Sequence, residues 1–137
     1  MAGTLVDSNV ILDVLTEDAR WYGWSSSAMA QCADAGPLYI NLIIYAEVSI
    51  GFATIEEMEA AVPAKSCPRL QIPPEAAFLA GKAFLQYRRT RGVKVTPLPD
   101  FIIGAHAAVA GLRLLTRDMR RYRTYFPSLQ IFAPTSR

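Results

Sequence analysis

Short apolar segments alternate along the chain with longer stretches in which apolar residues recur every three or four positions. The short segments predict buried strands at residues 4–6, 38–40 and 112–116, because strands covered on both faces are apolar throughout. Residues 70–72 are a further strand candidate, and residues 130–132 predict a last strand at an edge of the sheet.

Helices are predicted in the longer stretches. They cover residues 10–15, 21–35, 42–51, 55–61, 74–91 and 100–110. A Gly-Pro pair at 36–37 ends the second helix, and Asn41 can cap the third by accepting a hydrogen bond from a free backbone N–H. Pro74 suits the first turn of the fifth helix, where a missing N–H costs nothing. Residues 63–74 are predicted to be mostly loop, and residues 93–96 to be extended.

Strands that alternate with helices predict an α/β fold with a mostly parallel central sheet and helices on both faces. A chain of 137 residues suits a single domain with its own core. In such sheets ligands bind outside the carboxyl ends of the strands. Asp7 and Asp118 each come shortly after a predicted strand. We therefore expect a functional site at that edge.

Composition indicates a folded protein that covers part of its surface. Hydrophobic residues make up 52% of the chain and charged residues 19%, which excludes a disordered tail. The mean hydropathy of +0.20 is high for a soluble monomer, so we expect a second subunit or a partner to cover apolar surface. The net charge of +2 does not by itself predict nucleic-acid binding. With no signal peptide and no apolar run near the roughly 20 residues of a spanning helix, a cytoplasmic location is expected.

Three side chains could provide nitrogen or sulfur ligands to a metal: Cys32, Cys67 and His106. A structural zinc site needs about four such ligands. The two cysteines lie in unrelated segments, which predicts reduced thiols and no disulfide framework. Any metal site built by the protein is therefore expected to use oxygen ligands, which suit Mg²⁺, Mn²⁺ or Ca²⁺.

Three acidic residues lie at predicted ends of strands or helices, where each also has an ordinary structural explanation. Asp7 directly follows a strand, yet it could simply cap the next helix, as could Ser8 or Asn9. Asp100 opens a helix, where free N–H groups stabilise negative charge and would also keep a metal ligand ionised. Asp118 follows a strand and could belong to a solvated turn.

Glu47 is the most informative acid, because its helix is apolar almost all round. It shares a face with Ile43, Ile44 and Ile50, so it is expected to face the core. An ionised carboxylate there is costly unless a cation or strong donors meet it. The alternative is a helix turned so that Glu47 reaches solvent. Several acids that converge would have raised pKa values unless a divalent cation lay between them.

Four segments, taken in order, resemble the motifs of PIN domains. Val-Asp-Ser-Asn-Val-Ile-Leu at 6–12 resembles the first motif. Glu-Val at 47–48, followed by Gly51, resembles the second. Pro-Asp-Phe-Ile-Ile-Gly-Ala-His-Ala at 99–107 resembles the third, and Leu-Thr-Arg-Asp at 115–118 resembles the fourth. Each motif alone is weak, but four in the right order over nearly the whole chain are a strong indication.

The resemblance implies a PIN-like domain over residues 1–137, with a three-layer α/β/α fold. The small size is similar to that of the toxin in VapBC toxin–antitoxin pairs. That family consists of Mg²⁺- or Mn²⁺-dependent ribonucleases, usually dimeric and inhibited by a cognate antitoxin. The resemblance therefore implies an endoribonuclease that cleaves RNA with metal-activated water. It also implies a homodimer and a VapB-like antitoxin.

Site residues follow from the same resemblance. It assigns metal binding and catalysis to an acidic quartet of Asp7, Glu47, Asp100 and Asp118. Asn9 and Thr116 would support the quartet by fixing carboxylates and metal-bound water. One position departs from the family, since many members have a further acid where this chain has Arg121. We therefore expect one tightly held ion, with a second arriving alongside RNA.

RNA contact is predicted beside Asp118, where basic and aromatic residues alternate. These residues are Arg117, Arg120, Arg121 and Arg123, with Tyr122, Tyr125 and Phe126 between and after them. Guanidinium groups bind phosphates and aromatic rings stack on unpaired bases, although a solvated turn is the plainer alternative. Trp21, Tyr22 and Trp24 are predicted to lie in the core or at an interface, and by family analogy they are candidates for an antitoxin or dimer surface.

Other functions fit less well. A Mg²⁺-dependent phosphatase usually has a second aspartate two residues after the first, but position 9 is Asn. A phospho-receiver domain needs a lysine late in the chain, and the last one is Lys94. His106 lies mid-helix among alanines, so it is expected to be a packed residue and not a catalyst. The remaining alternative is a PIN-like module that binds RNA or a partner without cutting.

Overall fold

A computed structural model of the chain describes residues 3–91 and 98–135. Within these ranges the strands are β1 (Thr4–Val6), β2 (Leu38–Asn41), β3 (Arg69–Leu70), β4 (Arg113–Leu115) and β5 (Ile131–Phe132). The helices are α1 (Ser8–Leu15), α2 (Tyr22–Ala35), α3 (Leu42–Ser49), α4 (Ile55–Ala61), α5 (Pro74–Arg91), α6 (Leu98–Ala110) and α7 (Met119–Arg123). The predicted α/β class is confirmed.

One five-stranded sheet, in the order β3-β2-β1-β4-β5, forms the centre of the fold. Every pairing among the described strands is parallel, so the predicted mostly parallel sheet is confirmed. β1 lies in the middle, and Leu5 and Val6 are fully buried there. α2 packs against β1 and β4, while α6 packs against β4 and carries α5 on its other side. The result is the predicted three-layer α/β/α arrangement.

The predicted elements end within two residues of the observed ones. α4 and α5 have the predicted bounds, and α2 ends directly before the Gly-Pro pair. Asn41 caps α3 as predicted, since its side-chain oxygen accepts a hydrogen bond of 3.0 Å from the N–H of Ile44. Local signals were sufficient here, because caps and helix breakers act over only a few residues.

The observed structure differs from the predictions in several places, among them α1, which begins at Ser8, and α3, which ends at Ser49. α6 begins at Leu98, two residues early, because Pro99 is tolerated in a first helical turn. β3 covers Arg69–Leu70 and does not reach Ile72. α7 was not predicted, since five residues are too few to show an apolar period. The predicted extended segment at residues 93–96 lies outside the described residues.

Gly104 sets how closely the end of the chain approaches α6. A Cβ atom at this position would lie 2.6 Å from Cε2 of Phe126 and 2.9 Å from Cδ1 of Tyr122. Only a residue without a side chain allows these two rings to pack directly on the helix backbone. This contact brings Tyr122 of α7 over the carboxyl edge of the sheet.

Several large apolar side chains lie on the surface. Ile50 is 87% exposed, and Leu42, Ile55 and Phe78 are also exposed. The expectation that a partner covers apolar surface stays a prediction. Among the described residues, none of the helices combines the length and apolar character needed to cross a membrane.

Candidate active site

The carboxyl ends of three adjacent parallel strands meet at one edge of the sheet. Asp7 follows β1, and its N–H donates to the carbonyl of Leu115 at 2.8 Å. Thr116 follows β4, with its N–H 3.1 Å from the carbonyl of Phe132. Asn41 ends β2 on the other side of β1. The edge predicted to hold the site therefore carries three buried polar residues.

The Asp7 carboxylate is buried and accepts three hydrogen bonds. Its Oδ1 accepts from the backbone N–H of Ser8 at 2.8 Å, so Asp7 does cap α1. Its Oδ2 accepts from the hydroxyls of Thr116 and Tyr122, each at 2.8 Å. A carboxylate can accept about four hydrogen bonds, which leaves one acceptor position open. We call Asp7, Thr116 and Tyr122 the hydroxyl side of the site.

Thr116 is the junction of this side. Its hydroxyl donates to Asp7 and accepts from the backbone N–H of Asp118 at 3.1 Å and from the Asn9 amide at 3.4 Å. Asn9 in turn accepts from the backbone N–H of Arg117 at 3.3 Å. One donor and two acceptor positions of the hydroxyl are therefore all used. Thr116 fixes the first aspartate to the turn that carries the last one.

Glu47 lies on α3 and reaches the site through α1. Its Oε1 accepts a hydrogen bond of 2.7 Å from the hydroxyl of Ser8. Glu47 is partly buried, between the predicted core position and the solvent-facing alternative. Ile44 is buried, but Ile50 is 87% exposed, so the prediction that Ile50 shares a core face with Glu47 is wrong. The reason is that α3 ends at Ser49, and Ile50 already belongs to the turn after it.

Asp100 and Asp118 are joined by one guanidinium group. Nη1 of Arg121 lies 3.2 Å from Oδ2 of Asp100, and Nη2 lies 3.1 Å from Oδ2 of Asp118. Asp100 comes from the first turn of α6 and is buried, whereas the Asp118 side chain is 38% exposed and caps α7. We call Asp100, Asp118 and Arg121 the arginine side of the site.

Burial dominates the electrostatics of three of the four acids. It raises the pKa of Asp7, although the hydrogen bonds from Thr116 and Tyr122 act in the opposite direction. Burial also raises the pKa of Glu47, and the charges of Asp7 and Asp100 raise it further. The pKa of Asp100 is raised for the same reason, with Arg121 lowering it and Asp7 and Asp118 adding to the rise. These acids therefore lie close enough to influence one another.

Tyr122 serves as a permanent donor to Asp7. Burial of its ring and the neighbouring carboxylate raise its pKa well above the ordinary value, so the phenol keeps its proton. The ring is 1% exposed and Phe126 is 4% exposed. The prediction that these two rings stack on RNA bases is wrong, because both pack against Gly104 of α6. Tyr125 is partly buried in a cluster with Phe101.

The donor set suits a hard divalent cation in its chemistry. All four acids offer oxygen, and three of them have raised pKa values that a cation between them would offset. Cys32 and Cys67 are buried free thiols away from this edge. In the described part of the chain, however, no three Asp, Glu, His or Cys side chains stand together as a formed metal site. Arg121 occupies the contact between Asp100 and Asp118 instead.

The arginines predicted to contact RNA have different surroundings. Nε of Arg117 forms an ion pair of 2.8 Å with buried Asp13, and its guanidinium lies 4.9 Å from the centre of the Trp21 ring. Within the described residues that Nε–H has no directed hydrogen bond, so the contact is one of charge. Arg121 is held by two acids, whereas Arg120 is exposed on the same helix.

His106 is buried in α6, in line with the expectation of a packed residue. Its Nδ1 lies 2.9 Å from the Asn41 amide nitrogen, which donates, so the ring is neutral with its proton on Nε2. Burial lowers the pKa of His106. The contact holds the residue that caps α3, the helix of Glu47.

The indole rings of Trp21 and Trp24 meet edge to face at 6.2 Å, and Trp24 also contacts Phe132. Both are partly buried, and the suggestion of an antitoxin or dimer surface stays a prediction.

Three residues with evident roles were missed by sequence reasoning. Ser8 was considered only as a cap, but its hydroxyl orients Glu47. Tyr122 was assigned to RNA, but it binds Asp7. Asp13 was not singled out, although it is buried and accepts from Ser25 at 2.7 Å. Its position on the apolar face of a predicted helix was the available signal, the same one that identified Glu47.

A comparison with known protein families identifies the family of this chain. Residues 4–127 match the PIN domain. The chain belongs to the PIN-domain family. PIN domains are generally nucleases. A comparison with curated protein sequences found no match.

Solved structures of chains from toxin–antitoxin and VapBC complexes share this fold at low identity. The VapBC2 complex of Rickettsia felis, bound to a DNA fragment from its promoter, contains a chain with 14% identity and a TM-score of 0.71, over 96% of this chain and 98% of that one. VapBC-1 from nontypeable Haemophilus influenzae gives 17% identity and a TM-score of 0.70, over 95% and 96%. A toxin–antitoxin complex from Klebsiella pneumoniae gives 24% and 0.60, over 97% and 98%. These similarities establish the shared fold.

Proposed function

We propose that this PIN-domain protein is a Mg²⁺- or Mn²⁺-dependent endoribonuclease and the toxin component of a type II toxin–antitoxin pair. The observation that carries the proposal is the mutual influence of Asp7, Glu47 and Asp100, three acids from separate elements with raised pKa values at one sheet edge. Burying several acids close together lowers the stability of the fold, and acids with pKa values perturbed in this way cluster at functional sites. Metal-assisted phosphodiester hydrolysis is the chemistry that an all-oxygen site suits.

Asp7, Glu47, Asp100 and Asp118 would hold the divalent ion. Asp7 has one acceptor position left beyond its three hydrogen bonds, and Glu47 has its second oxygen, Oε2, in addition to the one bound by Ser8. When bound, the ion would supply Lewis-acid chemistry, by making a water more acidic and by binding the phosphate. Asn9 and Thr116 would help to fix the acids in position, since Thr116 donates to Asp7 and Asn9 donates to Thr116.

The chain's own groups would then orient and move protons. Thr116 and Tyr122 keep Asp7 in place by donating to a single oxygen, Oδ2, so Oδ1 keeps one open acceptor position beside the N–H of Ser8. Glu47 is partly buried and has a raised pKa, so its carboxylate is our candidate to accept the proton of the attacking water. The water oxygen bonds to phosphorus, the bond to the leaving oxygen breaks, and the leaving oxygen takes up a proton from solvent, which yields a phosphate monoester and an alcohol.

RNA would approach over α7. Arg120 is exposed and Arg121 is 39% exposed, so both guanidinium groups can reach a phosphate beside Asp118. Arg117 would contribute less directly, because its guanidinium is paired with Asp13 and lies over Trp21.

A VapB-like antitoxin is the proposed protein partner, and the active form is proposed to be a cytoplasmic homodimer. The shared fold with chains of VapBC complexes supports the partner. Exposed apolar residues such as Ile50 and Phe78 support an assembly with covered apolar surface.

An RNA cleavage assay tests the proposal. The purified chain is incubated with total RNA in Mg²⁺, in Mn²⁺ and in EDTA, beside the Asp7→Asn variant. Cleavage that needs the cation and is lost in Asp7→Asn supports the proposal. Cleavage that persists in EDTA contradicts the metal requirement.

A binding module without catalysis is the second candidate, and one observation favours it. Arg121 pairs with two of the four acids, so the site is partly neutralised without any metal. Retention of RNA in a gel-shift assay, with no cleavage of any RNA in either cation, would favour this module.

A further inference from the structure

Arg121 is placed to act on the whole acidic quartet. Its guanidinium touches Asp100 and Asp118 directly, at 3.2 and 3.1 Å. Its charge also lowers the pKa of Asp7 and of Glu47, which lie further away. One side chain of this chain therefore provides positive charge where a divalent cation would otherwise be required.

A guanidinium and a divalent ion compete for the same carboxylate oxygens. Arg121 already uses Oδ2 of Asp100 and Oδ2 of Asp118, and its positive charge repels any cation nearby. The guanidinium stays protonated at every pH at which the protein is folded, so protonation does not relieve this competition.

The Asp118 half of the contact can be broken at low cost, because Arg121 and Asp118 are 39% and 38% exposed and ion pairs this accessible contribute only about 0–1 kcal/mol. The Asp100 side chain is only 12% exposed, so that half costs more to break unless the entering ion replaces the guanidinium. The backbone N–H of Arg121 binds Oδ1 of Asp118 separately from the side chain, so α7 keeps its cap when the guanidinium leaves. The side chain can therefore turn outward without loss of the helix.

From this geometry we infer that Arg121 is an internal competitor of the divalent ion. This inference rests on the proposed function. Arg121 occupies the arginine side of the site, restricts the chain to one tightly bound ion, and weakens that ion's binding. It leaves Asp100 and Asp118 when the metal enters. It competes with the ion and is not a ligand of it.

Mn²⁺ binding tests this inference directly. Free Mn²⁺ is measured by electron paramagnetic resonance during titration of wild type, Arg121→Gln and Arg123→Gln. Since a divalent ion and a guanidinium about 6 Å apart repel even in water, Arg121→Gln is expected to bind Mn²⁺ about tenfold more tightly. Arg123 is exposed on the same helix and contacts Met119, so Arg123→Gln removes the same charge and is expected to bind Mn²⁺ like wild type.

Thermal unfolding provides a second readout. In EDTA, Arg121→Gln is expected to have a lower Tm than wild type, because two acids lose their partner. Mn²⁺ is expected to raise the Tm of Arg121→Gln more than that of wild type, because the stabilisation by a ligand grows with its affinity.

A second variant is measured in case Arg121→Gln does not fold. Arg121→Lys keeps one positive charge, but a single ammonium cannot pair with both carboxylates in the manner of a guanidinium. Its Mn²⁺ affinity is expected to lie between those of wild type and Arg121→Gln.

Two results would overturn the inference. If wild type binds Mn²⁺ and both Arg121 variants bind it equally or more weakly, Arg121 is not a competitor, while the proposed function stands. If neither wild type nor any variant binds Mn²⁺ up to millimolar concentrations, the proposed metal site and this inference fail together.

Discussion

The two sides of the candidate site balance negative charge in different ways. On the hydroxyl side, buried Asp7 is held by neutral donors from Ser8, Thr116 and Tyr122. On the arginine side, Asp100 and Asp118 share the full charge of Arg121. Neutral donors orient a carboxylate and leave its charge for a cation, whereas a guanidinium neutralises it. If the proposed ion binds, the hydroxyl side can therefore accept it as it stands, whereas Arg121 must first leave Asp100 and Asp118 on the arginine side.

The largest expected effect is on the rate of RNA cleavage, when one carboxylate charge is removed from either side of the site. Asp7→Asn is expected to lower the rate of RNA cleavage by about a thousandfold or more, because a metal contributes several kcal/mol to such reactions. Asp118→Asn is expected to cost only about tenfold, because its exposed and paired carboxylate is better screened. Single-turnover cleavage in Mg²⁺ measures both rates. Equal losses would show that the two sides do not differ.

Gly104 tests how the hydroxyl side is held in position. Gly104→Ala places a methyl group 2.6 Å from Phe126 and 2.9 Å from Tyr122, so it is expected to lower the free energy of unfolding by about 3 kcal/mol through overpacking. Urea denaturation measures this change. Gly81 is the matched control, since it lies in α5 with nothing within 4 Å of an added Cβ. Gly81→Ala is expected to stabilise the protein by about 0.5–1 kcal/mol, and a similar gain at Gly104 would contradict the packing argument.

Tyr122→Phe removes one donor from the hydroxyl side and keeps the ring. A buried hydrogen bond to a charged acceptor contributes about 1.5–3 kcal/mol, so a loss of about 2 kcal/mol in unfolding free energy is expected near pH 7. Tyr125→Phe is the control, because among the described residues its hydroxyl has a single hydrogen-bond contact, an exposed one of 3.4 Å with Thr90. Its expected cost is below about 0.5 kcal/mol. Equal losses in the two variants would remove Asp7 from the explanation.

The smallest effect concerns the support behind Glu47. Burial lowers the pKa of His106, so the unfolded chain binds a proton at a pH where the folded protein does not. Stability from this residue is present above the ordinary histidine pKa of about 6.5 and is lost as the pH falls through it. The slope is at most about 1.4 kcal/mol per pH unit.

His106→Gln checks that sign, because His106 is the only histidine of the chain. Urea denaturation in EDTA is measured across this pH range for both proteins. The stability difference between wild type and His106→Gln is expected to shrink as the pH falls. A difference that stays constant with pH would show that His106 does not titrate in the way its burial implies.

Local sequence signals predicted the elements well and the burial of single side chains less well. Asn41 and the Gly-Pro pair marked helix ends correctly, since capping depends on neighbouring residues alone. Ile50 was placed in the core and lies outside, and Tyr122 was placed on the surface and lies inside. Both errors arose where a short turn follows a helix or strand, because periodicity is undefined over so few residues.

The candidate site was predictable as a set of residues but not as a set of contacts. Asp7, Glu47, Asp100 and Asp118 were selected by their positions at element ends, on an apolar helix, and by resemblance to PIN domains. Their assignment to metal binding stays a prediction. Nothing in the sequence indicated that Ser8 would orient Glu47 or that Arg121 would join two of the acids. These contacts connect residues from α1, α3, α6 and α7, and their geometry depends on how the helices pack.

By itself, the sequence determined the α/β class, the order of the strands and of every helix except α7, and the family, because periodicity, caps and motifs depend on neighbouring residues. The tertiary structure alone decided which donors reach Asp7 and which cation reaches Asp100. Gly104 shows the physical reason: one absent Cβ lets Tyr122 approach α6, and this close approach carries a hydroxyl group to a carboxylate 115 residues away in the chain. Such contacts follow from packing at a distance, which no local pattern records.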